Sequence, residues 1–222
     1  MMNRQRVEEY FKDFEAIERN LLNKPKLDWN MYETWKSFEH DPVKVLAEKG
    51  ARKVPGRTSA MSTHVTIVAC VNAADERMSP LLVIKAKTER SVFGFNTREA
   101  PNGTMWDFQE NGWMDDRIGE CWFKEIFLKQ CGTDRPQVLI LDGHSSHESS
   151  ALIQEGIREN IAILSLPPLT THYLQPPYRT VFGPFDRQYD QANVQNFCRK
   201  TPYTKLINVH FQLCSKLHDI PI

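Results

Sequence analysis

Residues Gln137 to Asp142, Gln-Val-Leu-Ile-Leu-Asp, read as a buried strand that stops at an acid. Such a strand needs neighbours on its sheet and cover above and below it. The chain ahead of it offers three extended stretches. Leu27–Tyr32 has short β-type character, Val65–Val71 reads Val-Thr-Ile-Val-Ala-Cys-Val, and Leu81–Ile84 comes after a turn over Asn72–Glu76. Residues 88–112 read as polar and irregular, with Gly94, Pro101, Asn102 and Gly103 marking loops. Helices are expected over 4–22, where Val7, Tyr10, Phe11, Phe14, Ile17 and Leu21 recur at helical steps, and in a short stretch from His40-Asp41-Pro42 to Gly50. Asp115 or Asp116 can cap a further helix carrying Ile118, Trp122, Ile126 and Phe127. Beyond Asp142 come a helix near 148–158, a strand over Ile161–Leu166 ended by Pro167-Pro168, and a last helix from about Phe182. Early strands joined by short turns suit an antiparallel meander, and the later strand–helix alternation suits parallel crossovers.

That order predicts an α/β fold, a ribonuclease H-like mixed sheet in which an antiparallel meander is followed by parallel strands, flanked by helices. Its 222 residues suffice for one domain with a full core. The expected division is an N-terminal helix over 1–24 leading into the core, a domain over 25–200, and a C-terminal segment over 201–222 that ends without a clear stop signal, as a truncated chain would. No run approaches the eighteen or so apolar residues that span a bilayer, and a charged N-terminal helix replaces a signal core, so an intracellular protein is expected. Five scattered cysteines, none in a Cys-x-x-Cys pair, point to reduced thiols. Lys plus Arg and Asp plus Glu both number 28, for a net charge of zero. Phosphate neutralisation dominates DNA affinity, so this segment by itself should bind DNA weakly unless its positive charges cluster.

Two segments carry candidate chemistry. An acid at a strand end, Asp142, projects where sheets commonly place ligands, yet it would equally cap a turn that Gly143 bends. His144 and His147 come next; a lone His-x-x-His is more often a satisfied loop pair than a metal site. The second segment is Leu166-Pro-Pro-Leu-Thr170-Thr-His172-Tyr-Leu-Gln175-Pro-Pro177. Physics alone favours a rigid connection from sheet edge to helix; functionally, it would aim the residues after Pro177 at the Asp142 crevice.

Together with Val65–Ala73, Asn111-Gly112-Trp113-Met114 and Val181-Phe-Gly183-Pro184-Phe185, these segments resemble the DDE-1 endonuclease domain of pogo, Tigger and Jerky-type transposases and the host proteins derived from them. The resemblance runs from about residue 5 to about 200. It implies three carboxylates converging on two divalent ions, Mg²⁺ or Mn²⁺, which activate a water or 3′-hydroxyl and stabilise the leaving oxygen of a phosphodiester. The second aspartate matches Asp142. The first belongs in a motif that here reads Asn30-Met31-Tyr32-Glu33-Thr34, and the third comes after one that reads Leu174-Gln175-Pro176-Pro177-Tyr178. Tyr32 and Tyr178 therefore stand in the aspartate positions. A phenol, with an ordinary pKa of about 10, is neutral near pH 7, so each change removes a negative charge. Asp28 shares the strand parity of Tyr32 but lies roughly 13 Å along it; Glu33 should face the other way.

The resemblance thus implies a transposase-derived nuclease domain that acts on or binds DNA, with metal binding weak or absent and cleavage impaired. The alternatives are an active metal-dependent endonuclease with a rearranged site, using Glu33 or Asp186, and a non-catalytic scaffold or dimerisation module. DNA is the implied partner, through a DNA-binding region outside this chain; no membrane is implied, and a homo-oligomer is left open. Nuclear localisation rests on the family's habits alone.

Overall fold

The computed structural model describes residues 3–21, 24–37, 64–95, 97, 100–142 and 149–175. Helix α1 (Arg4–Leu21) is followed by β1 (Asp28–Ser37), β2 (His64–Asn72), β3 (Leu81–Lys85) and β4 (Met105–Gln109). Then come α2 (Asp116–Trp122), a π-helical segment (Phe123–Phe127), α3 (Leu128–Gln130), β5 (Gln137–Leu141), α4 (Ser150–Arg158), β6 (Ile161–Ser165) and α5 (Thr171–Leu174). The strands form one six-stranded sheet in the order β4-β3-β2-β1-β5-β6. β1–β2 and β2–β3 are antiparallel, while β1–β5 and β5–β6 are parallel. This is the mixed, ribonuclease H-like sheet that the order of apolar runs implies.

Alternation along β5 divides the core. Leu139 and Leu141 join Trp29, Met31, Trp122, Phe123 and Phe127 on one face, while Val138 and Ile140 meet Tyr10, Leu21, Leu27 and Leu166 on the other. The result is a three-layer arrangement with α1 across one face and the α2–α4 helices across the other. Asp115 caps α2 by accepting the Ile118 N–H, and Ser149 caps α4 by accepting the Leu152 N–H. Gly156 lets α4 lie close on β6, since a Cβ there would sit 2.7 Å from Ile163 Cδ1 and 3.1 Å from the Ile161 carbonyl.

Three features depart from the pattern reading. β4 lies in the stretch expected to be irregular, and it pairs parallel to β3. Its central inward residue is Asp107, almost buried and held by both terminal nitrogens of Arg117 at 2.9 and 3.1 Å. An acid at that position breaks the alternation that announces a strand. β1 runs on to Ser37, beyond the expected Tyr32, because it pairs with β2 along its whole length from Trp29. The helix after Asp115 contains a wider turn in which the Leu128 N–H donates to the Phe123 carbonyl. The expected helices over 40–50 and from Phe182 lie outside the described residues.

Candidate functional site

β1 and β5 run side by side and parallel inside the sheet, pairing Asp28 with Val138, Trp29 with Leu139 and Asn30 with Ile140. The ladder stops there. Carried two residues further, the same register sets Tyr32 across from Asp142, and alternation turns both toward the face that α1 covers. Both are buried, Tyr32 at 8% and Asp142 at 2% exposure. The extended register thus sets two of the three positions singled out in the sequence on one face, Tyr32 midway along β1 and Asp142 just past the C-terminal end of β5.

Gln175 tightens this point from the far end of the second motif. Thr170 Oγ donates to the Pro167 carbonyl at 2.6 Å and the Thr170 carbonyl accepts from Leu174, which folds the proline-rich turn into α5. The buried Gln175 amide then donates to Asn30 Oδ1 at 3.1 Å and to the Met31 carbonyl at 2.7 Å. Met31 faces Cys70 across the β1–β2 ladder, and the Cys70 carbonyl turns away to accept from Met78. The Met31 carbonyl accordingly points away from β2, toward the place where β5 has ended. Gln175 supplies the donor that β5 no longer provides. The motif is thus pinned to β1 one residue before Tyr32. The only sequence signal for this is a lone amide between Leu174 and Pro176, which pattern reading assigns to a connection.

Tyr178, His144, His147 and Asp186 lie outside the described residues. Glu33 accepts the Met114 N–H at 3.4 Å, on the α2 face and away from Tyr32 and Asp142. Asp28 begins β1 and lines a recess of about 240 Å³ with Tyr10, Phe14, Asn30 and Ile140. Burial, and next the charge of Glu18, pushes its carboxyl up to about 6. Burial first and Asp28 second push the Tyr10 phenol up to about 12. This recess lies on the face to which Tyr32 and Asp142 turn, and its Asn30 and Ile140 come two residues before them on β1 and β5. Among the described residues, no three His, Cys, Asp or Glu side chains converge in a group able to hold a metal ion. No helix among them is long and apolar enough to cross a membrane.

A mixed sheet with a buried acid just past the end of an inner parallel strand defines the class as a ribonuclease H-like fold. Residues 62–212 match the family described as DDE superfamily endonuclease. That is more than half of the chain, and the chain belongs to this family as a transposase-derived DDE domain. It is similar to the mouse Jerky protein, 27% identical over 136 residues that cover 57% of this chain and 23% of that one. It is also similar to a Cochliobolus lunatus protein called MFS-type transporter clz9, 33% identical over 155 residues covering 66% of this chain and 16% of that one. The chain spans less than a quarter of the length of either relative.

Among solved structures, the fold is like that of the Mos1 transposase paired-end complex with left transposon end. The TM-score is 0.55 at 9% identity, covering 99% of this chain and 62% of that one. The mariner Mos1 paired end complex with Mg gives 0.54 at 12% identity, with 98% and 63% covered. At these identities the likeness is one of fold.

Proposed function

We propose that this chain is a DNA-engaging DDE domain whose nuclease chemistry is impaired, with Asp142 as the retained metal-binding acid and Tyr32 and Tyr178 in its partners' places. The observation that supports the reading is the β1–β5 register, which, extended two residues past its last pair, sets Tyr32 across from Asp142. Divalent ions held by carboxylates would activate a nucleophile and stabilise a leaving oxygen. A phenol supplies one neutral oxygen where a carboxylate supplies two that share a charge, so the residues at this point do not fit a two-ion cage. Losses in a metal's outer shell alone often cost about 10–100-fold, and two ligand losses cost more. Glu33 is a poor substitute because it serves the Met114 N–H on the other face.

Binding to DNA is supported by family membership and by the transposon end held in the Mos1 complex. Zero net charge argues that firm binding draws on a DNA-binding region beyond this chain. Nuclear residence is part of the same reading, as is a domain over 25–200 preceded by the 1–24 segment that carries α1 and followed by 201–222.

The deciding measurement is nicking of supercoiled DNA in Mg²⁺ or Mn²⁺ by the purified chain, beside Tyr32→Asp/Tyr178→Asp. The expected result is no nicking by the unmodified chain and cleavage gained by the double variant. Nicking by the unmodified chain that Asp142→Ala abolishes would overturn the impaired reading in favour of a rearranged, active site.

A further inference from the structure

The recess beside α1 holds a carboxyl that the nuclease reading does not use. The backbone of Asp28 is fixed on both sides, its N–H donating to the Pro25 carbonyl and its own carbonyl accepting the Ala73 N–H at 2.9 Å. Alternation sends the side chain to the α1 face, into the recess of about 240 Å³. Among the described residues that carboxyl accepts no hydrogen bond and joins no ion pair. Lys26, two residues earlier, is taken by Glu76 at 2.7 Å.

Rings and alkyl groups surround it. Tyr10 and Phe14 come from successive turns of α1 with their rings nearly parallel and 6.2 Å apart, and the half-exposed Phe11 stands edge-on to Tyr10 at 5.4 Å. β5 and α5 present Ile140 and Leu174, and the end of β2 and the turn after it present Asn72 and Ala73, none of them charged. Among the described residues no lysine, arginine or histidine lines the recess. Burial first and Asp28 second push the Tyr10 phenol up to about 12, so it is neutral near pH 7. The other charge on α1 that Asp28 feels, Glu18, is negative as well.

Charge and shape select the occupant. A carboxylate with no counter-ion repels phosphate and attracts a cation. A bare metal ion would need several more oxygen ligands, where this lining is mostly ring and alkyl carbon. Ring faces attract organic cations, and apolar walls accept an alkyl stem whose tip is charged. The volume falls below the roughly 300–1,000 Å³ of sites for drug-sized ligands and suits a single side chain. Phe11 beside it offers apolar contact to the residues flanking such a side chain, which a free amine lacks. We propose that this recess receives a lysine or arginine side chain of a partner protein, its stem against Tyr10, Phe14 and Ile140 and its charge on the Asp28 carboxylate. The site stands whether or not the chain engages DNA.

The test titrates the full chain, with its aspartate carboxyls ¹³C-labelled, with short blocked peptides that carry one lysine, one arginine or one norleucine. The two basic peptides should bind near pH 7 and move the Asp28 resonance, while the neutral norleucine peptide should not. Because the carboxyl titrates at about 6, affinity should fall about ten-fold between about pH 7 and pH 5, and the loaded carboxyl should titrate lower than the free one. Asp28→Asn should weaken the basic peptides about ten-fold or more. Phe14→Leu, which keeps the apolar wall and removes a ring face, should weaken them about two- to five-fold. Relief of an unpaired carboxylate should leave the Asp28→Asn fold intact, so its loss of binding reads the charge.

Norleucine binding as well as lysine, basic peptides that survive Asp28→Asn undiminished, or no peptide binding near pH 7 would each overturn the proposal. Butylamine held as tightly as the lysine peptide would overturn the protein partner in favour of a small amine. Self-association of the chain that Asp28→Asn abolishes would do the same in favour of a second copy. The nicking assay of the Asp142 site moves none of these outcomes, so the two readings fail separately.

Discussion

At the scale of single residues, Asp28 shows how burial and charge set a measurable property. Its carboxyl is pushed up to about 6 from an ordinary 3.8, by burial first and Glu18 second. The folded value lies above the unfolded one. The folded state is therefore favoured while the group is protonated, below about pH 4, and that advantage is lost as pH rises through about 6. Asp28→Asn should raise the melting temperature at pH 7, by an equivalent of about 1–2 kcal/mol once partial exposure is discounted. The gain should fade in melts recorded below pH 4; a gain independent of pH would contradict the assignment. Gly112 offers a steric counterpart. With φ +75° and a would-be Cβ 2.5 Å from His64 Nε2 and 2.8 Å from Lys85 Cβ, Gly112→Ala should cost about 1–3 kcal/mol by urea unfolding.

Elements in this fold are held by polar groups that periodicity does not weigh. β4 stays in the sheet although its inward residue is an acid, because Arg117 on α2 meets Asp107 with two hydrogen bonds. Asp107 is nearly buried whereas Arg117 is mostly exposed, so removing the arginine strands the carboxylate. Arg117→Ala should cost about 2–3 kcal/mol and speed amide exchange along β4 before other strands. α5 and β1 at Asn30 and Met31 are tied in the same way by Gln175. Replacing it with alanine leaves the Met31 carbonyl without its donor, at about 1–3 kcal/mol. A Gln175→Ala variant with unchanged stability would mean that water replaces the amide there. The strands legible in the sequence, β2, β3, β5, β6 and the first half of β1, are those with apolar inward positions; β4 is not, because a pair formed across the fold takes the place of an apolar residue.

Across the whole molecule the two cores bear unequal loads. Phe127, fully buried, stacks on Phe123 at 5.2 Å, meets Trp122 at 5.8 Å and lies edge-on to Trp29 at 6.1 Å. Phe127→Ala should cost about 3–5 kcal/mol, read as a lower urea midpoint. The α1 face, toward which alternation turns Tyr32 and Asp142, carries the smaller cluster. The heavier core on the opposite face anchors the sheet that aligns these strands.

The sequence by itself determined which chemical groups occupy the three positions: an acid at Asp142 and phenols at Tyr32 and Tyr178. It also determined most of the strand and helix order, because apolar spacing and capping residues act locally. Only the tertiary structure decided that β1 and β5 pair in a register that points Tyr32 toward Asp142, that Gln175 bonds β1 at Asn30 and Met31, and that Trp35, Trp113 and His64 gather together. Those outcomes depend on the register between strands far apart in the chain, which long-range packing selects and no local pattern encodes.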